Sequence, residues 1–265
     1  MAIVATAAPA KAGQRGVVEV EELGVRLRSE THRVRSLREY LLLGRRHVGR
    51  VSWFEALSGI TVSLREGELL GVVGDNGAGK TTFLRVLAGI VPPSEGRVSV
   101  AGAIAPLVEM GAGFDLELTG RENVFLYGAM LGLDRHRVAG LFDAMVDFAG
   151  LQDSMDTAVK NYSSGMVARL GFSVATAVPP ALLLVDEALA VGDANFRLRC
   201  SDRIDRLREQ GTAVVLVSHD LELVRLQADT ALWLHEGRVA AVGDVGAVLA
   251  AYEAQLKRGG GEVVA

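Results

Sequence analysis

An α/β fold built on a parallel sheet is predicted by three features of this sequence. A glycine-rich loop, Gly74-Asp75-Asn76-Gly77-Ala78-Gly79-Lys80-Thr81, joins a short apolar run (Glu68 to Val73) to an apolar helical pattern opening at Thr81-Thr82-Phe83-Leu84. A second apolar run, Ala181 to Val185, ends in the carboxylates Asp186 and Glu187. A third, Gly211 to Val217, ends in Ser218-His219-Asp220. Short continuous apolar runs bounded by turn residues are the signature of strands buried on both faces, and such strands belong to parallel sheets.

The loop carries chemistry as well as topology. Its glycines let backbone N–H groups converge on phosphate at the start of a helix, where the peptide dipoles also favour negative charge. Lys80 is expected to reach the β- and γ-phosphates and the Thr81 hydroxyl to bind Mg²⁺, so Gly74, Asp75, Asn76, Gly77, Ala78, Gly79, Lys80, Thr81 and Thr82 together would cradle a nucleoside triphosphate. A turn that merely starts a helix needs neither the lysine nor the threonine. A dinucleotide fingerprint fails, because Gly77-Ala78-Gly79 is followed by Lys80-Thr81-Thr82 with no third Gly or Ala. Kinases, GTPases, helicases and transport ATPases all use such a loop, so other residues must define the work. Asp186 is expected to hold Mg²⁺ through water and Glu187 to orient the attacking water. His219 ends a strand on the edge where parallel sheets bind their ligands and could contact the γ-phosphate; taken alone, it reads more simply as a cap on the next turn.

In chain order, Met1 to Gly16 is Ala-rich, Pro-broken and without a basic start, which reads as a flexible tail rather than a signal peptide. Val17 to Leu27 and Ala56 to Leu64 read as strands of an N-terminal sheet, with Trp53 and Phe54 just before the second. Between them lies an insertion, Ser29 to Arg50, in which Ser36 to Leu43 could form a short helix stopped by Gly44. From Arg26 to Arg50 eight arginines face two glutamates, a local net charge of +6 in a chain whose total is -4. A charge run is usually a solvated face, and docking at a membrane or partner is the alternative. From about 113 to 178, apolar residues recur at helical spacing (Val124, Tyr127, Leu131; Leu141, Met145, Phe148), as in a helical lobe. The chain returns to the sheet at Ala181, forms a hairpin from Ala231 to Leu234 and Arg238 to Val242, and ends in a helix over Val245 to Gln255. Residues 258–265 read as a second flexible tail, leaving 17–257 as one unit without internal repeats.

Composition sets outer bounds. With 265 residues and 49% hydrophobic content the chain can bury a large core in one domain with lobes. A net charge of -4 gives no global argument for nucleic acid as a partner. One cysteine, Cys200, rules out a disulfide within the chain and reads as a packing residue. No run reaches the roughly 18 apolar residues of a membrane span, because Pro179-Pro180 splits the longest candidate.

Tyr162-Ser163-Ser164-Gly165-Met166 adds a second helix start suited to an anion. The loop, this Ser-Gly turn, the acidic strand and the post-strand histidine together resemble the ATP-binding subunit of an ABC transporter, from about Val17 to Tyr252. The resemblance implies an ABC-type P-loop ATPase with a RecA-like core, an N-terminal antiparallel β subdomain and an α-helical subdomain, using ATP and Mg²⁺. It implies a head-to-tail homodimer in which Ser163, Ser164 and Gly165 of one subunit complete the ATP site of the other. It also places an aromatic, Trp53 in preference to Phe54, against adenine. The family's usual turn is Leu-Ser-Gly-Gly-Gln, from which Ser164 and Met166 depart. Those departures, with Leu107 to Phe114, Leu118-Thr119-Gly120-Arg121-Glu122-Asn123 and Ala190-Val191-Gly192-Asp193, are similar to ATPases of bacterial polysaccharide exporters for O-antigen, teichoic acid or cell-wall galactan.

That narrower resemblance implies a subunit at the cytoplasmic face of the inner membrane, powering export of a lipid-linked glycan with an integral-membrane permease in two copies, without nucleic acid. Glu109 stands where most of the family carries a glutamine linking Mg²⁺ to the membrane subunit, and is expected to be a metal ligand. Asp193 matches a loop crossing the dimer interface and also reads as an N-cap for a helix from Ala194. The short Gly-containing tail after Tyr252 carries the expectation that the carbohydrate-binding domain of some O-antigen exporter ATPases is missing. An ABC ATPase for a drug or lipid is the alternative. A soluble ABC switch on a ribosome or repair complex is a further one, disfavoured because such proteins commonly carry two ATPase units.

Overall fold

The structure is a computed structural model and describes residues 16–30, 51–107, 113–186 and 193–259. Its elements in order are β1 (Gly16–Glu30), β2 (Val51–Arg65), β3 (Leu69–Val73), α1 (Lys80–Leu87), β4 (Glu95–Val100), β5 (Ile104–Leu107), α2 (Gly120–Met130) and α3 (Arg135–Ala149). There follow α4 (Ser164–Ala175), β6 (Leu182–Asp186), α5 (Ala194–Glu209), β7 (Ala213–Val217), α6 (Leu221–Gln227), β8 (Thr230–His235), β9 (Arg238–Gly243) and α7 (Val245–Gly259). β2, β1 and β4 form a three-stranded antiparallel sheet; the six-stranded sheet runs β5-β6-β7-β3-β8-β9, parallel except for β9.

Alternation along the buried strands divides the apolar side chains between two faces. Leu70 and Val72 of β3, with Val215 and Val217 of β7, pack toward the antiparallel sheet, where they meet Leu57 and Ile60 of β2 and Phe83 and Leu87 of α1. Leu69, Val214 and Leu216 point the other way, onto Phe196, Cys200, Ile204 and Leu207 of α5. Phe83 is fully buried between these layers, so Phe83→Ala would cost about 3–5 kcal/mol. α2, α3 and α4 enclose a separate core around Val124, Met145 and Leu170. Local signals start these helices. Thr119 and Glu122 form a reciprocal capping box on α2, which holds the Glu122 carboxyl below its usual range, and Asp134 caps α3. Cys200 is a buried packing residue whose thiol is pushed up to about 12, chiefly by desolvation.

Several boundaries differ from the sequence reading. β1 begins at Gly16 and runs to Glu30, and β2 begins at Val51, because their ladder continues through Leu27 to Phe54, Arg28 to Trp53 and Glu30 to Val51. Trp53 and Phe54 therefore lie within β2. α7 continues to Gly259, four residues past Gln255 and into the segment read as a tail. β4 and β5 carry no sequence signal: β4 is Glu-Gly-Arg-Val-Ser-Val on a largely exposed edge, and β5 is four residues long with a proline. The remaining tail residues and the expected helix at 36–43 fall outside the described residues. Among the described residues no helix is long and apolar enough to cross a membrane.

Candidate nucleotide site

The loop from Gly74 to Gly79 leaves the C-terminal end of β3 and feeds directly into α1. Gly79 caps α1 in the left-handed region (φ 103°), and no side chain caps this helix start. A Cβ on Gly79 would lie 2.6 Å from Leu57 Cδ2 and 3.0 Å from the Ala56 carbonyl oxygen, so both conformation and space demand glycine. Lys80 is buried, and its ammonium donates to the carbonyls of Gly74 (2.7 Å) and Asp75 (3.0 Å). The loop thus encircles the Lys80 ammonium with its own carbonyls.

Strand order aligns the other groups. Asp186 at the end of β6 is in register with Val217 on β7, and Val217 with Val72 on β3. The ends of the acidic strand, the histidine strand and the loop strand therefore lie side by side, with β7 in the middle. Across this row the Thr81 hydroxyl donates to Asp186 Oδ2 at 3.1 Å. His219 is exposed two residues past Val217, and the cap on α6 is Asp220, whose carboxylate accepts from the N–H groups of Glu222 and Leu223. Capping therefore does not account for the imidazole.

The loop is buttressed by backbone. Glu236 and Gly237 form the two-residue β8–β9 turn with φ of 49° and 76°, the positive pair of a type I′ hairpin. Gly237 N–H donates to the Ala78 carbonyl (3.1 Å), and its own carbonyl accepts from Ser58 N–H (2.8 Å). A Cβ at Gly237 would lie 2.6 Å from the Ala56 carbonyl oxygen. Ala56 is the extra residue of a bulge, since Val25 pairs with Leu57 and Arg26 with Glu55. The bulge, the turn and the loop thus form one backbone-to-backbone contact between the two sheets.

Trp53 stands three residues before Ala56, about 10 Å along an extended strand. It is 65% exposed and Phe54 54% exposed, so neither ring is a core residue. Trp53 lines an open cleft of about 540 Å³ with Arg26, Glu55 and Ser94.

Ser163, Ser164 and Gly165 lie apart from the loop, at the start of α4 on the helical subdomain. Ser163 caps its own helix, accepting from Met166 N–H at 3.2 Å, and both serines are exposed. Arg169, on the same helix, pairs with Asp193 at 2.6 Å and lies over the Phe196 ring. Asp193 is the N-cap of α5, and its carboxyl is held below the usual range first by the Phe196 N–H and, more weakly, by Arg169. Glu109 and Glu187 lie outside the described residues. Sequence reading missed Gly237, whose Glu-Gly turn was a legible signal, and Tyr252, whose hydroxyl reaches Asp75 Oδ1 at 3.2 Å.

The profile of the family described as "ABC transporter" matches residues 57–190. ABC transporter protein AbcA of Aeromonas salmonicida is 41% identical over 80% of this chain and 69% of its own length. The O-antigen export system ATP-binding protein RfbB of Klebsiella pneumoniae is 36% identical over 80% of this chain and 84% of its own. The teichoic acids export ATP-binding protein TagH of Bacillus anthracis is 38% identical over 77% of this chain, which spans 37% of that protein. Among solved structures, an ATP-binding subunit of an ABC transporter superposes with a TM-score of 0.72 at 20% identity, over 89% of this chain and 93% of the other. A dimeric ATP-binding cassette bound to ADP and Pi, in a post-hydrolysis state, gives 0.68 at 19% identity, over 86% and 98%.

Proposed function

The chain belongs to the ABC transporter family, and from that premise we propose that it is the ATP-hydrolysing subunit powering export of a lipid-linked polysaccharide through a separate membrane-spanning partner. The observation that carries the chemistry is the contact of Thr81 with Asp186 beside the buried Lys80. The Thr81 hydroxyl and Asp186 carboxylate, 3.1 Å apart, would suit Mg²⁺ ligated by Thr81 with Asp186 holding it through water, because Mg²⁺ keeps several of its waters. Thr81 and Asp186 would hold the ion, which when bound neutralises charge on the β- and γ-phosphates. Among the described residues no cage of three or more His, Cys, Asp or Glu exists, which fits an ion that keeps waters and substrate oxygens as its other ligands.

The remaining roles belong to the same reading. Lys80 exchanges its two carbonyl partners for phosphate oxygens, and the N-terminus of α1 receives the same charge. Glu187, next to Asp186, orients the attacking water, and His219 meets the γ-phosphate. Trp53 stacks on adenine across its cleft, and Glu109 serves as a further metal ligand. Two copies pack head to tail, so that Ser163, Ser164 and Gly165 of one reach the ATP of the other. The polysaccharide class is supported by relatives named for O-antigen and teichoic acid export. The working position is then the cytoplasmic face of the plasma membrane, with two permease copies, and the arginines between 26 and 50 serve that side.

The test is Glu187→Gln. Turnover should fall at least a hundredfold while ATP stays bound, and a nucleotide-dependent dimer should accumulate in gel filtration with ATP and Mg²⁺. Hydrolysis at the wild-type rate would remove Glu187 from this role. Loss of glycan export on deletion, restored by the wild-type chain and not by Glu187→Gln, would carry the substrate class.

A further inference from the structure

The phosphate-binding loop contains a negative charge of its own. Asp75 directly follows Gly74, and its carbonyl accepts from both Ala78 N–H (3.1 Å) and the Lys80 ammonium (3.0 Å). Its backbone is therefore part of the floor on which the triphosphate must rest. A carboxylate there repels phosphate unless something holds it aside. The holder is on α7, the last element of the described fold. Tyr252 Oη donates to Asp75 Oδ1 at 3.2 Å, and His235 Nδ1 lies 3.9 Å from Oδ2.

Tyr252 is built to hold that position. Val245, Val248, Leu249 and Tyr252 fall at i, i+3, i+4 and i+7 on one face of α7 and pack with Val73, the residue immediately before the loop. The Tyr252 ring also packs against Trp233, with centroids 5.6 Å apart. Arg225 of α6 pairs with Glu253 at 2.9 Å and fixes the helix from outside. Burial, aided by Asp75, raises the pKa of the phenol, so it remains a protonated donor near neutrality.

We propose that Tyr252 is a positioning residue for the nucleotide: by drawing the Asp75 carboxylate toward α7 it keeps negative charge away from the triphosphate and thereby sets the affinity of the loop for ATP. This rests on ATP binding at Gly74 to Thr82, and it makes α7 a mechanical input to the nucleotide site. A displacement of α7 would release Asp75 toward the phosphates and weaken their binding without touching the groups that cleave ATP.

The test is a double-mutant cycle on the full chain with Tyr252→Phe, Asp75→Asn and the pair, measuring equilibrium Kd for ATP with Mg²⁺ and steady-state KM and kcat. Tyr252→Phe should raise Kd and KM by roughly 3- to 10-fold, the size expected of one hydrogen bond, with kcat within about twofold of wild type. Asp75→Asn should bind ATP at least as tightly as wild type, and Tyr252→Phe should then add nothing. An unchanged Kd in Tyr252→Phe, the same weakening in the Asp75→Asn background, or weaker binding by Asp75→Asn would each overturn the proposal. Should Tyr252→Phe fail to fold, the Asp75→Asn affinity still decides. A wild-type chain that binds no ATP would remove the premise with the proposal, whereas wild-type binding with an indifferent Tyr252→Phe removes the proposal alone.

Discussion

The helix starts at Gly79 and Ser163 are built in opposite ways. At Gly79 a left-handed glycine replaces the capping side chain, the following lysine is buried, and two sheets press on the loop through Ala56 and Gly237. At Ser163 the serine oxygen is already engaged with Met166 N–H, and the turn stands exposed on a subdomain with its own core. A start without a side-chain cap, wedged by backbone, is suited to receive an anion within one chain. A self-capped, exposed start is stable without a ligand and gains a function only when another surface is brought to it.

That contrast can be broken at four points, in falling order of effect. Lys80→Ala removes the ammonium that would exchange its carbonyl partners for phosphate oxygens, charge-assisted contacts worth about 1.5–3 kcal/mol each. ATP affinity of the single chain should drop by about a hundredfold or more in calorimetry, with the circular dichroism of the fold retained. The next effect belongs to pairs of chains. Mixing Lys80→Ala with Ser163→Arg puts both lesions in one composite site and leaves the other whole, so a binding assay that resolves single sites should recover one competent site per dimer. No recovery would place Ser163 outside the partner's site. Ser163→Ala should cost about 1 kcal/mol of stability through the lost cap, read as a shift in denaturant midpoint, while single-chain ATP affinity stays put. A change in that affinity would erase the distinction between the two starts.

The smallest effect concerns Asp193, which ties α4 to α5. Its folded-state pKa is depressed below the ordinary 3.8, so its contribution to stability is present above that value and lost as pH falls through the folded pKa. Asp193→Asn should therefore melt below wild type at pH 7, with the gap closing below about pH 4. A constant gap across the titration would assign the difference to packing rather than charge.

How much of this was legible in the sequence follows from the same physics. The central strands were readable because burial on both faces leaves continuous apolar runs, as in Leu182 to Val185 and Ala213 to Val217. The loop was readable because its chemistry fixes residue types at fixed spacing. β4 was hidden because an exposed edge strand is free to be polar. Tyr252 was hidden because a ring in an apolar helical stripe looks like any core aromatic, and only the fold brings it 177 positions back to Asp75. The bulge at Ala56 leaves no trace in composition, since it is a property of the β1–β2 register.

One rung of the β1–β2 ladder, Glu30 opposite Val51, is where the chain departs into its arginine-rich excursion and where it comes back. Entry and exit are already neighbours by virtue of strand pairing, so the fold has prepaid most of the closure entropy, and doubling the segment's length adds only about 0.6 kcal/mol. The rung works as a socket: what is plugged into it can be lengthened, shortened or exchanged while the register that seats Ala56 against the loop stays unaltered. Swapping this segment between relatives should therefore leave the β1–β2 register intact.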